Sequence, residues 1–183
     1  QAFEEHFQSD VLSGDLTWET SYGLPGEGEP PRVVAHITFE WPAWSQAAYR
    51  HWYLEEILER RPAIEIEIVL RVQQLTEPAD PEVIYSTIPK MSPLIGDVRL
   101  ERAGMTAEVA HPDPADDPPN LREARSEHAI EITYEGLYEL AEATVADGTN
   151  SLLDEHFGAL GGWIASTLVK LGDLSLDFLP DPD

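Results

Sequence analysis

Apolar and polar residues alternate along several short stretches of the chain. Across residues 64–72 the even positions are Ile64, Ile66, Ile68, Leu70 and Val72, with Glu65, Glu67, Val69 and Arg71 between them. Successive side chains of a strand point to opposite faces, so this spacing predicts a strand with one buried and one wet face. Val33, Ala35, Ile37, Phe39 and Trp41 repeat the pattern, with His36, Thr38 and Glu40 in the intervening places. Shorter runs predict strands at 16–22, 98–100, 130–134 and 174–178. One-sided alternation favours an antiparallel sheet, because parallel strands are covered on both faces and read as unbroken apolar runs.

A second period, near 3.6 residues, marks helices. Residues 43–60 follow Pro42 and gather Trp44, Ala47, Ala48, Leu54, Ile57 and Leu58 on one stripe before Pro62. Asp80-Pro81 has the form of an N-cap followed by proline at the first helical position, opening a short helix to Thr87. Further helices are expected at 136–146, closed by Gly148, and at 152–171, closed by Gly172. Two stretches, 23–31 and 111–120, carry so much Gly, Pro and Asp that they are expected to be mobile loops, the first joining two strands as an extended hairpin. Strands and helices follow one another without regular βαβ alternation. The expected class is therefore α+β: one domain over 1–183, with an antiparallel sheet of about five to seven strands and helices mostly on one face.

Charge changes the picture more than composition does. Asp and Glu number 35 against 11 Lys and Arg, a formal net charge of -24. Such a surface repels phosphate backbones and anionic lipid heads and attracts basic proteins or peptides. The plainer reading is that acidity serves solubility or a salt-rich environment, in which case the carboxylates should be spread evenly rather than gathered on one face. There is no cysteine, which excludes disulfides and thiolate chemistry and favours a cytoplasmic setting. No apolar run reaches the roughly 18 residues of a membrane helix.

The chain has no phosphate-loop, zinc-protease or nucleophile-elbow motif. Gly158, Gly161 and Gly162 lie inside a helical pattern, the wrong context for a nucleotide loop. With Ala165 they form a small-residue strip beside the apolar arc of that helix. Such a strip suits close approach of another backbone, within the chain or across a subunit interface. His51 and Glu55 stand at i and i+4, a spacing that presents two ligands to a metal, but His51, His128 and His156 fall in phase with apolar residues and read better as hydrogen-bonded core or boundary histidines. His111, Asp113, Asp116 and Asp117 lack calcium-loop spacing and read as a solvated acidic loop. Glu65 and Glu67 share a wet strand face, without a feature that marks them for acid–base chemistry. Tyr49, Trp52 and Tyr53 lie off the apolar stripe of their helix among charged residues, a composition typical of interaction hot spots.

These residues point first to a non-catalytic acidic protein that binds a basic protein or peptide, as an adaptor, chaperone or immunity-like factor. The candidate contact surface is Tyr49, Trp52 and Tyr53 together with Gly158, Gly161, Gly162 and Ala165. A homodimer is expected through one of these two surfaces. Neither cofactor nor metal, direct nucleic-acid contact nor membrane is expected. Two other readings stand beside this one: a nucleic-acid mimic occupying a DNA-binding protein, and an enzyme whose carboxylate or histidine site assembles from distant segments.

Overall fold

The computed structural model describes residues 2–10, 13–25, 30–53, 61–111, 126–140 and 151–180. The described strands are β1 (Ala2–Ser9), β2 (Leu16–Gly23), β3 (Val33–Trp41), β4 (Ala63–Leu75), β5 (Glu101–Ala110) and β6 (Glu127–Glu139). The described helices are α1 (Ala43–Tyr53), α2 (Pro81–Thr87) and α3 (Ser151–Gly172). The strands form one antiparallel sheet in the order β1-β2-β3-β4-β6-β5. This is the α+β architecture that the alternating strands predict.

Register follows parity. Ile37 pairs with Ile68, and Ile68 with Tyr134, so the even side chains of β4 and β6 share a face with the odd side chains of β3. That inner face holds the core. Val33, Ala35, Ile68, Leu70, Val72, Ile132 and Tyr134 are wholly buried there. Leu160, Ile164, Leu168 and Leu171 of α3 and Ile84 of α2 belong to the same core. Tyr134 meets Trp163 edge to face at 5.1 Å, and its hydroxyl donates to the Pro89 carbonyl. Burial in the core raises the Tyr134 pKa, although Arg102 pulls the other way.

Local chemistry explains the element ends. The Asp80 carboxylate accepts from the Glu82 N–H at 3.0 Å with Pro81 in the first turn, as the sequence predicts. The buried Ser45 hydroxyl ties α1 to the start of β4: it donates to the Ala63 carbonyl at 2.6 Å and accepts from the Ala63 N–H and the Trp41 indole. The hairpin expected over 23–31 joins β2 to β3 in antiparallel register; its residues 26–29 lie outside those described.

Several sequence expectations need correction. Residues 136–139 complete β6 rather than open a helix. The even-numbered alternation of Ile130, Ile132 and Tyr134 continues to Tyr138, with Gly136 in the one slot where a side chain does not fit. A Cβ there would stand 2.4 Å from Leu100 Cδ2, so glycine here serves close packing rather than a turn. Residues 98–100 form no strand; β5 begins at Glu101, and Ile95 and Val98 make only an isolated bridge. Around 174–178 the strand reduces to one bridge, Leu75 to Phe178. β1 was not expected: it is an edge strand whose side chains from Glu5 to Ser9 are all exposed, so it has no buried face to impose alternation. The end of the 43–60 helix, most of the 111–120 loop and residues 141–150 lie outside those described.

Candidate functional site

Two surfaces of the sheet carry chemistry, one on each face. The outer face takes the odd positions of β2, β4 and β6 and the even positions of β3. Reading the register across all six strands gives one transverse row: His6, Glu19, Thr38, Glu67, Glu135 and Glu101. Neighbouring strands lie about 4.8 Å apart, so Glu67, Glu135 and Glu101 stand side by side on three adjacent strands. One row away Glu40 pairs directly with Glu65. Like charges in direct cross-strand register destabilise a sheet by about 0.2–1 kcal/mol per pair. Glu40, Glu65, Glu67 and Glu135 line a shallow depression of about 550 Å³ with Thr38, Gly136 and Leu137. Partial burial, then the charges of Glu65 and Asp15, lift the Glu40 carboxyl above its ordinary pKa.

The cations on or beside this face are engaged. Arg71 donates to Glu108 at 2.7 Å and to Glu131. Burial alone would lower its pKa, but these two carboxylates outweigh that and raise it. Lys90 reaches Glu101 at 3.2 Å at one end of the row, and Arg61 lies 3.8 Å from Glu139. The Lys90 and Arg61 pairs are largely solvated and contribute little to stability, whereas Arg71 and Glu131 are half-buried. The Ser21 hydroxyl and His36 Nδ1 share a hydrogen bond of 2.7 Å. Glu65 and Glu67, singled out in the sequence only as a wet pair, thus prove to be the centre of an acidic field. Strand pairing makes it, which no local motif could reveal.

On the inner face, α3 seals the sheet over β4 and β6 but leaves a groove toward β2. Trp18, Thr20, Ile37 and Phe39 form its floor; Phe157, Ile164 and Leu168 of α3 form one wall. Its volume is about 690 Å³. Aromatic contacts run along the floor: Trp18 stacks on Phe39 at 5.2 Å, and Phe39 meets Phe157 edge to face at 5.5 Å. Thr20 is 1% exposed, and its hydroxyl has no hydrogen-bond partner among the described residues.

The predicted contact residues lie on two helices, α1 and α3. Tyr49 is half-buried and meets Trp41 edge to face at 5.9 Å. Trp52 and Tyr53 fall in the last turn of α1, and their side chains lie outside those described. Gly158, Gly161, Gly162 and Ala165 are exposed on α3. A Cβ at any of the three glycines would meet nothing within 4 Å. Among the described residues no backbone packs closely against the strip, and Gly161 and Ala165 border the groove.

Among the histidines, His156 is the boundary residue expected, sharing a 2.7 Å hydrogen bond with the Tyr138 hydroxyl. His51 differs from expectation: it is exposed, because the described part of α1 turns it away from the buried Ser45 side. His111 pairs with Ser126 at 2.9 Å, and Asp113, Asp116 and Asp117 lie outside the described residues. No group of three or more His, Asp or Glu converges as a metal site among the described residues. Among them, too, no helix is long and apolar enough to cross a membrane. No protein family, curated protein or solved structure matches the chain.

Proposed function

We propose that this is a non-catalytic binding protein that receives a basic segment of another protein across the outer face of its sheet. The observation that carries the reading is the transverse row Glu19, Thr38, Glu67, Glu135, Glu101, flanked by the Glu40–Glu65 pair. Carboxylates in direct register repel one another, and the fold gains nothing from placing them so. An arginine or lysine side chain lying between two of them removes that repulsion and adds charge-assisted hydrogen bonds. The row crosses the strands, so an extended basic peptide fits by alternating side-chain contacts rather than by adding a strand. Solubility alone needs net charge, not this register.

The test is fluorescence anisotropy with a labelled arginine-rich peptide at low and high salt. Glu67→Gln/Glu135→Gln is compared with Glu77→Gln/Glu82→Gln, which removes the same charge from exposed positions off the sheet face. The row variant should weaken binding about three- to tenfold more than the control, the scale of two exposed ion pairs. Equal weakening by both would reduce the interaction to net charge and remove the row from the argument.

A further inference from the structure

The inner-face groove raises a separate question that the acidic face does not answer. We propose that it is a binding site for a neutral amphiphilic small molecule, with an aliphatic or aromatic body and one hydroxyl or carbonyl group held by Thr20. Three observations converge. The groove's volume, about 690 Å³, lies within the range of ligand sites. Among the described residues its lining carries no Asp, Glu, Lys, Arg or His in a protein of net charge -24, so a charged ligand finds no counter-ion among them.

The third observation is Thr20 itself. The chain's other buried hydroxyls among the described residues are all bonded: Ser21 to His36, Ser45 to Ala63 and Trp41, Ser92 to Leu100 and Pro93, Thr167 to Trp163. Among the described residues Thr20 is the buried hydroxyl without a partner, and it lies on the floor of the groove. A buried hydroxyl left unpaired costs free energy that a ligand's polar atom recovers. The small residues at the rim acquire a use on this reading. Gly161 and Ala165 keep the entrance open, where larger side chains would close it.

The probe is N-phenyl-1-naphthylamine, a neutral dye whose emission rises on transfer from water to an apolar site. It should bind saturably to the wild type. Gly161→Leu should abolish binding while circular dichroism shows an intact fold, since a Cβ there meets no described atom within 4 Å and leucine improves helix propensity. Ala165→Leu is the second blocking variant. Gly158→Leu, on the same helix but outside the groove lining, should bind as the wild type does.

Competition with 2-naphthol and naphthalene, which differ by one hydroxyl, reads the polar anchor. The wild type should prefer 2-naphthol about three- to tenfold, the worth of one net hydrogen bond, and Thr20→Val should erase that preference. Absence of saturable dye binding, or undiminished binding in both blocking variants, overturns the site. A preference that survives Thr20→Val overturns the anchor. Light scattering that shows a dimer, with dye binding only on dissociation, assigns the groove to a second copy and overturns the small-molecule reading.

Discussion

The two faces of β4 are made by alternate residues of one strand, and they obey different physics. Ile66, Ile68, Leu70 and Val72 are buried beneath or beside α3, and what they contribute is apolar area removed from water. Glu65, Glu67, Val69 and Arg71 stand on the opposite face, exposed or half-buried. There stability is not gained but tolerated, with carboxylates opposed across strands. The inner face specifies the register, because a slip by one residue would move every isoleucine to water and every glutamate into the core. The outer face is then carried along by that register. Its charge pattern is free to serve recognition because the fold does not depend on it.

That contrast can be broken most severely on the inner face. Ile68→Ala should destabilise by about 2–5 kcal/mol, through lost transfer energy and the cavity left behind. Val69→Ala, one residue along on the outer face, should cost less than about 1 kcal/mol. Urea unfolding of both measures the difference, and similar losses would mean that the outer face is covered in solution. Gly136→Ala comes next, at about 1–3 kcal/mol, because its Cβ would overlap buried Leu100. Gly104→Ala in exposed β5, where a Cβ meets nothing within 4 Å, should change stability by less than about 0.5 kcal/mol in the same assay.

Two smaller effects have the opposite sign. Thr20→Val should stabilise the free protein by about 1 kcal/mol, since the lost hydroxyl makes no bond. A lower melting temperature for this variant would reveal a partner for Thr20 in solution. Glu40→Gln should stabilise by about 0.2–1 kcal/mol at neutral pH, by relieving the clash with Glu65. The folded pKa of Glu40 lies above its ordinary value of 4.5, so the folded state binds the extra proton. The wild type is therefore penalised once pH rises through that folded pKa, and the penalty is absent below the ordinary value. The variant's advantage should vanish on acidification, as denaturation curves across that range will show.

Legibility in the sequence tracked burial. β3 and β4 announce themselves because one face is sealed and the other wet, and the Asp80-Pro81 cap and the span of α3 are local chemistry. β1 and β5 were hidden because they lie at the sheet's edges with most side chains in solvent, where nothing enforces alternation. The end of β6 was misread because Gly136 was taken as a helix boundary, when its partner Leu100 lies on a different segment. The candidate sites were less legible than the fold. Glu67, Glu135 and Glu101 become neighbours only through the order β4-β6-β5. That Thr20 lacks a partner is a property of the space around it, not of the sequence near it. The glycine strip was seen, but its open side was not.

The edge position of β1 has a consequence for how the protein ages in solution. Its outer rim of backbone N–H and C=O groups faces no strand among the described residues, and Phe7 upon it is 68% exposed. Such a rim is a template onto which a second chain can add, strand by strand. What opposes that addition is mutual repulsion between two molecules of charge -24, and repulsion is screened over about 8 Å at physiological ionic strength. The carboxylates proposed to receive a basic partner thus also oppose this addition. Salt that weakens the one weakens the other, so edge-to-edge addition at β1 is expected to increase with ionic strength.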